Sequence, residues 1–490
     1  MFIPVISTTD DDTAWALLYR LSTLSLVYVQ LPALQLHQLA SVAPDVDTDP
    51  TDVALKASIL DTRTVLGPFS IASLEPMELW LEQGLTKALV DVPDDSAFEH
   101  IVVAVSTFPA PRVVLRLPVS LLPVEQPTEL AETLTRLQTC VSGLVLVIES
   151  LTLSQASGME AVVASLQTVR TSVEEGFFLA VEMKPGRAPD YHRDVVLNRI
   201  QALHDMNIHV VAPGYCRGDE AEDTTHGVTQ EGDAMIDAAR AFVHCLRTDR
   251  PDGLFPTVVV DEAGVALGLV YSSAESIEAA VASGRGVYYS RSRGELWKKG
   301  ESSGNAQQLI QIDVDCDSDA LRFMVHQTGA GFCHLNTRSC WGEDRGLRAL
   351  ETMLVSRAQD APAGSYTKRL FHDAELLRHK LVEEAQELAE AETVSDVAGE
   401  AADVMYFALV RCVAAGCKLR DVEVGNSMGG GRNRRLTDAC VLPRSQRMLD
   451  KRALKIKRRP GHSKAYRIAA ADQILEAKGA RSDEKVEASD

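Results

Sequence analysis

The first 250 residues constrain the fold most, because apolar runs of strand length alternate there with amphipathic stretches of helical period. The runs are FIPVIS, LSLVYVQL, KALVDV, HIVVAVS, RVVLRLPV, GLVLVIES, FFLAVEM and HVVAPG. Between them lie segments such as PTELAETLTRLQTCV and RDVVLNRIQALHDM, whose apolar residues recur every three or four positions. Strand-length runs rich in β-branched residues, interleaved with helices, imply repeated βα units and a largely parallel sheet. Their number suits a TIM-like barrel, and an open doubly wound sheet fits the same pattern. No glycine-rich phosphate loop and no catalytic constellation stands out in this α/β region. Its expected role is structural or degenerate, and its function stays open.

The pattern changes after RTDRPDGLFPT, Arg247 to Thr257, a turn-rich segment that reads as a junction. TVVVDEAGVALGLVYSS then predicts a β-hairpin turning near Glu262-Ala263-Gly264, and further short strands follow around GVYYSRS and LIQIDVD. From residue 346 the period becomes helical through LRALETMLVSR, DAELLRHKLVEEAQELAEAE and DVAGEAADVMYFALVRCVAAG, which predicts an all-α bundle. The expected organisation is an α/β domain over 1–250, a small β-rich domain over 251–345, a helical domain over 346–425, and a basic, flexible tail over 426–490. A 490-residue chain has room for several domains, since one hydrophobic core seldom grows beyond about 250–300 residues.

A net charge of -20 argues against nonspecific binding of nucleic acid. It also requires that a polyphosphate ligand be met by local cations or bound metal, because the overall field repels it. The KIKRRP stretch reads as part of a solvated tail. Met1 to Asp12 carries no basic n-region and no long apolar run, so neither a signal peptide nor a membrane anchor is expected, and the cytoplasm is the default compartment. Nine cysteines, an odd number thinly spread, suit reduced thiols and make any cluster of them a metal candidate.

The densest chemistry is Asp315-Cys316-Asp317-Ser318-Asp319, followed by Cys333-His334 and Cys340. Three thiolates, Cys316, Cys333 and Cys340, could hold zinc and leave a fourth position for water, the open arrangement of a catalytic site. Three ordinary buried thiols are the bland alternative. On an extended segment Cys333 and His334 point opposite ways, which frees His334 as a proton-transfer group. Asp315, Asp317 and Asp319 alternate, so on a strand they share one face and offer hard oxygen ligands for magnesium or calcium; a solvated acidic edge would look the same. The spacing excludes an EF-hand, which needs a glycine at loop position six and a glutamate at twelve. Upstream, Arg291 and Arg293 in YYSRSR, then Trp297, Lys299, Ser303 and Gly304 in LWKKGESSGN, mix cations with small residues as phosphate sites do.

In the helical region Glu384 and Glu387 are spaced to share one helix face, with Glu383 beside them, and Glu400 and Asp403 repeat that spacing. Two helices facing each other with such pairs make an oxygen cage for magnesium and, through it, a polyphosphate. Glu384 and Glu387 are the candidate catalytic carboxylates. Asp403 lies beside the apolar run Val404 to Val413, where an unpaired carboxylate would be costly to bury.

Two resemblances follow from these motifs. LGLVYSS, GRGVYYSRSRGELWKKGESSGNAQ, DCDSDAL and HQTGAGFCHLNTRSCW together resemble phosphoribosyl-AMP cyclohydrolase over about residues 255–343. That resemblance implies zinc on Cys316, Cys333 and Cys340, magnesium on Asp315, Asp317 and Asp319, and a homodimer whose site borrows ligands from both chains. Ser302 stands where a threonine is more usual, and the Cys316-to-Cys333 spacing is one residue longer than in many bacterial members. PAGSYTKRLF with the ExxE…ExxD helices resembles phosphoribosyl-ATP pyrophosphohydrolase over about residues 346–425. It implies that Ser365, Tyr366, Thr367, Lys368 and Lys380 lie near substrate phosphates. The order of regions resembles the front portion of the fungal multifunctional histidine proteins, in which a histidinol dehydrogenase domain comes next. The chain ends before such a domain would fit, so two consecutive activities are expected, with no membrane or nucleic-acid partner. The rival readings are a general nucleotide pyrophosphatase with an inert zinc-bearing module, and a degenerate nucleotide-binding scaffold.

Overall fold

A computed structural model of the chain describes residues 1–7, 12–30, 63–83, 85–93, 98–155, 157–216, 228–229, 232–342, 344–360, 362, 364–419 and 422–423. The expected tail over 426–490 lies outside the described residues. No helix among those described is long and apolar enough to cross a membrane.

Parallel strands β1 (Phe2–Ser7), β2 (Val27–Gln30), β3 (Thr64–Ser70), β4 (Lys87–Asp91), β5 (Val113–Pro118), β6 (Gly143–Thr152), β7 (Phe178–Lys184) and β8 (His209–Tyr215) pair in order. Phe2 to Val5 of β1 also pair with Val210 to Pro213 of β8, so the sheet closes on itself and the barrel, not the open sheet, is what forms. The two-residue β9 (Ile236–Asp237) adds to β8. Helices α1 (Asp12–Ser22), α2 (Glu75–Gln83), α3 (Phe98–Val105), α4 (Pro127–Cys140), α5 (Met159–Thr171), α6 (Arg193–Asp205) and α7 (Ala238–His244) accompany the strands. Every one of the eight barrel strands sends a side chain inward: Ile3, Tyr28, Val65, Leu89, Val114, Val145, Ala180 and Val211 fill the interior. Toward the C-terminal end of the barrel, Arg116 bridges Asp91 at 2.6 Å and Glu182 at 2.8 Å.

One sequence expectation fails here. HIVVAVS is not a strand but most of α3, which buries Ile101 and Val105, four apart, and leaves Val103 exposed. A short β-branched run does not separate a strand from a half-buried helix, and packing against the barrel decides. A strand that the sequence analysis did not mark is TVLGPFS, β3, whose Gly67-Pro68 sits at a register shift between Leu66 and Phe69. A Cβ on Gly67 would lie 2.5 Å from the Leu89 carbonyl oxygen, so the close approach of β4 requires glycine.

The second sheet runs β13 (Glu295–Lys298), β12 (Val287–Ser290), β11 (Ala266–Ser272), β10 (Phe255–Val260), β15 (Leu321–Gln327), β14 (Gln307–Val314). The expected hairpin is β10–β11, antiparallel, with Asp261 closing its turn through bonds from the amides of Ala263 and Val265. Helix α8 (Ala274–Ser283), opened by a Ser273–Ser276 capping box, packs on this sheet and against α7, and one apolar core runs through both sheets. Helices α9 (Gly346–Gln359), α10 (Tyr366–His372), α11 (Ala374–Glu390) and α12 (Val394–Ala414) then form a bundle around Leu354, Leu370, Leu377, Phe407, Leu409 and Val410. Asp373 and Thr393 cap α11 and α12 by accepting from the amides of Leu376 and Asp396.

Candidate metal centres

Asp315, Asp317 and Asp319 present oxygens within 4.8 Å of one another. They do so from a turn and not from a strand: β14 ends at Val314, and the chain reverses before β15. The Asp315 amide donates to the Ala320 carbonyl, and Asp315 Oδ1 accepts from the amides of Asp319 and Ala320 at 3.0 and 3.1 Å. The carboxylates meet because the turn folds back on itself, not because of period-two alternation. Asp317, then burial and Asp315, push the Asp319 carboxyl above its usual range. Like charges gathered this closely fit a hard divalent cation, which would relieve their repulsion.

Cys333 and Cys340 stand together on the loop after β15. The Phe332 amide donates to the Arg338 carbonyl, the Cys333 amide to the Thr337 carbonyl, and the Cys340 amide to Leu267. The Leu335 backbone amide and the Thr337 hydroxyl hold the Cys333 thiol below its usual range, while burial and the adjoining Cys333 push Cys340 up. Among the described residues, the three sulfurs do not converge within one chain: Cys316 is exposed on the carboxylate turn and forms no group with the other two. The donor set on this loop is two soft thiols, which fits zinc in chemistry and leaves its coordination incomplete in a single chain. His334 does not point away on an extended segment as expected. A turn, closed by the Asn336 amide on the Cys333 carbonyl, brings His334 Nδ1 to 3.9 Å from Cys333 Sγ.

In the helical bundle Glu384 and Glu387 of α11 and Glu400 of α12 form a second carboxylate group within 4.8 Å. Glu384 is 7% exposed, a buried anion that calls for a cation. Lys380 Nζ supplies part of that charge, 3.4 Å from Glu384 and 3.0 Å from Glu383. Glu383 thus turns to Lys380 and stays outside the group of three. Asp403 is exposed on α12 and also stays outside it. The expected burial cost at Asp403 does not arise, because burial on α12 begins only at Phe407, one turn further on, and Asp403 itself stays exposed.

Residues 268–342 match the phosphoribosyl-AMP cyclohydrolase family and residues 347–424 the phosphoribosyl-ATP pyrophosphohydrolase family. A histidine biosynthesis bifunctional protein of Xanthomonas campestris is 35% identical over 191 residues, 38% of this chain and 92% of its own length. The chain belongs to this bifunctional family. A histidine biosynthesis bifunctional protein of Schizosaccharomyces pombe is 58% identical over 176 residues, 36% of this chain and 42% of its own length. A histidine biosynthesis trifunctional protein of Saccharomyces cerevisiae is 59% identical over 179 residues, again 36% of this chain but 22% of its own. The matched part of the chain therefore spans less than half of either fungal relative.

Within the cyclohydrolase segment, Arg291 lies over the Tyr271 ring at 3.8 Å and Arg293 pairs with Glu295 at 3.3 Å, both exposed on the β12–β13 turn. Trp297 tilts against Tyr288. Lys299 is half-buried between the Trp297 and Phe332 rings, and Nζ donates to the Phe332 carbonyl at 2.5 Å. Burial lowers its pKa. It is thus tied to the cysteine loop. Ser303 accepts from the Asn305 amide, and Gly304 is exposed. In the pyrophosphohydrolase segment Ser365 precedes α10, Tyr366 and Lys368 are exposed, and Thr367 Oγ1 lies 3.0 Å from the Tyr406 hydroxyl of α12.

The sequence reading missed the barrel residues that touch the carboxylate turn and its strand. His204 Nε2 lies 3.2 Å from Ser318 Oγ, 114 positions away, and Arg63 pairs with Asp313, 250 positions away. No local pattern marks such partners, since they meet only when the two sheets pack.

Proposed function

We propose that the chain carries out two consecutive hydrolyses of histidine biosynthesis: phosphoribosyl-ATP loses diphosphate at the helical centre, and the resulting phosphoribosyl-AMP is ring-opened at the β-rich centre. The observation that carries this reading is the pairing of two chemically different donor sets, Glu384, Glu387 and Glu400 in one segment, and Asp315, Asp317, Asp319 with Cys333 and Cys340 in the other. Each lies in the segment that matches the corresponding family. The working domains are 1–250, 251–345 and 346–425.

Glu384, Glu387 and Glu400 would hold magnesium, with Glu383 and Asp403 close by on the same helices. Asp315, Asp317 and Asp319 would hold a second magnesium, and Cys333 with Cys340 would hold zinc. When bound, magnesium neutralises phosphate charge, and zinc makes water nucleophilic near neutral pH. The protein's own groups do the rest. Ser365, Tyr366, Thr367 and Lys368 line the N-terminal turn of α10 and orient the triphosphate, while Lys380 sets the charge around Glu384. Water adds to the α-phosphorus, the bond to the bridging oxygen breaks, and diphosphate leaves. At the second centre Arg291, Arg293, Ser303 and Gly304 bind the ribosyl phosphate, Trp297 walls the base, and Lys299 holds the cysteine loop in place. Water adds at purine carbon 6, the bond from that carbon to ring nitrogen 1 breaks, and His334 moves the proton to the departing nitrogen.

Because Cys316 does not reach the other two thiols in one chain, the third thiolate comes from a second copy, making a homodimer. We place this dimer in the cytoplasm, without membrane or nucleic-acid partners. The deciding experiment supplies purified protein with phosphoribosyl-ATP, magnesium and zinc, and follows diphosphate and ring-opened product. Cys340→Ala should stop ring opening and spare diphosphate release. Glu384→Ala should do the reverse, with added phosphoribosyl-AMP still consumed. Loss of both steps from either change in folded protein refutes the two-centre assignment.

A further inference from the structure

The turn that carries Asp315, Asp317 and Asp319 is exposed from Asp315 to Asp317, and Asp319 is half-buried. Ser318 is buried at 9% exposure and adopts φ +67° between two of the carboxylates. What covers it is the barrel. His204, at the end of α6, brings Nε2 to 3.2 Å from Ser318 Oγ, and the Arg247 amide donates to the Ser318 carbonyl at 2.8 Å. The strand leading into the turn is held likewise: the Ile312 amide donates to the Thr23 carbonyl at 2.7 Å, and Arg63 pairs with Asp313 at 2.7 Å. Thr23, Arg63 and His204 all precede barrel strands, so the contact lies at the N-terminal end of the barrel. That is the end opposite the one where barrel enzymes carry their chemistry.

We propose that the N-terminal barrel acts as a positioning device for the carboxylate turn, with His204 and Ser318 as positioning residues that keep Asp315, Asp317 and Asp319 at cation-binding spacing. The inference rests on reading those carboxylates as cation ligands. A short turn bearing three like charges tends to splay, and a serine at positive φ persists only where its surroundings over-determine it. Two bonds from the barrel to Ser318, one to its side chain and one to its backbone, supply that restraint. Burial lowers the His204 imidazole to about 4, so the ring is neutral at neutral pH and adds no charge that would oppose a cation. Partners one step removed from metal ligands commonly set metal affinity within a factor of about 10–100.

The test titrates metal-stripped full-length protein with Mn2+ and counts bound ion by electron paramagnetic resonance, the turn's site being the one lost in Asp317→Asn. His204→Leu is expected to weaken that site by about 10-fold or more, with binding at the other site and diphosphate release unchanged within about twofold. His204→Gln, which keeps a hydrogen-bonding group at similar reach, should recover most of the affinity. Ser318→Ala removes only the hydroxyl and should weaken the same site, which keeps the question answerable if His204→Leu does not fold. Unchanged affinity at the turn in His204→Leu or Ser318→Ala overturns the positioning role, as does an equal loss at both sites. If wild-type protein and Asp317→Asn bind the same number of ions, the carboxylate reading itself fails and the inference falls with it.

Discussion

Arg348, in the first turn of α9, reaches 3.4 Å to Asp261 Oδ2, the same oxygen that accepts from Arg338 of the cysteine loop. Asp261 Oδ1 meanwhile closes the β10–β11 turn. Arg338 also bonds Asp344 at 2.5 Å, and Arg348 bonds Glu423 at 2.9 Å. One buried carboxylate therefore ties the hairpin, the cysteine loop and the helical bundle together. Asp261→Ala leaves two guanidiniums short of a partner and the turn unclosed. It should destabilise the protein by about 2–4 kcal/mol, the partly exposed arginines keeping the figure below that of a fully buried pair. Urea unfolding followed by tryptophan fluorescence measures it, and a midpoint equal to wild type refutes the role.

Gly268 of β11 packs beneath the residue before Cys333: a Cβ there would lie 2.2 Å from Phe332 Cε1. Gly268→Ala must displace the ring and, with it, the loop that holds Cys333 and Cys340. Overpacking of this kind costs about 1–3 kcal/mol, so ring opening should fall about 10-fold or more. Diphosphate release should stay within about twofold. Steady-state rates for the two steps, measured separately, decide it; an equal fall in both points to global destabilisation instead.

Metal removal should separate the centres. Chelation is expected to stop both steps. Returning Mg2+ alone should restore diphosphate release from the carboxylate centre, whereas ring opening should wait for Zn2+, because thiolates select the softer ion. Full recovery of ring opening on Mg2+ with zinc rigorously excluded argues against a zinc-dependent step.

His209, at the start of β8, stacks on Phe178 at 5.1 Å, and burial lowers its imidazole to about 3. Its folded pKa lies below its unfolded value of about 6.5, so between those limits the unfolded chain binds the extra proton. Stability from keeping the ring neutral is thus fully present above about pH 6.5 and declines as pH falls toward 3. The slope from this group is on the order of 1 kcal/mol per pH unit. Denaturation at a series of pH values from 7.5 to about 4.5 should show it, and His209→Leu should flatten it. A variant slope matching wild type removes His209 as the cause.

Much of the site was legible in the chain because its chemistry is local. The DCDSD and CH…SC motifs, the Glu384–Glu387 spacing and the β10–β11 hairpin depend on residues near one another in sequence, where residue type and period already imply the outcome. Tertiary structure decided what local pattern leaves open. It made HIVVAVS a helix and TVLGPFS a strand, since both are short apolar runs whose state follows from what packs on them. It closed β1 onto β8, set Cys316 apart from Cys333 and Cys340, and left Asp403 in solvent. It also brought His204 against Ser318 across 114 residues. These outcomes rest on contacts between distant segments, whose free energy depends on how whole sheets and helices pack and so leaves no signature in any short stretch of sequence.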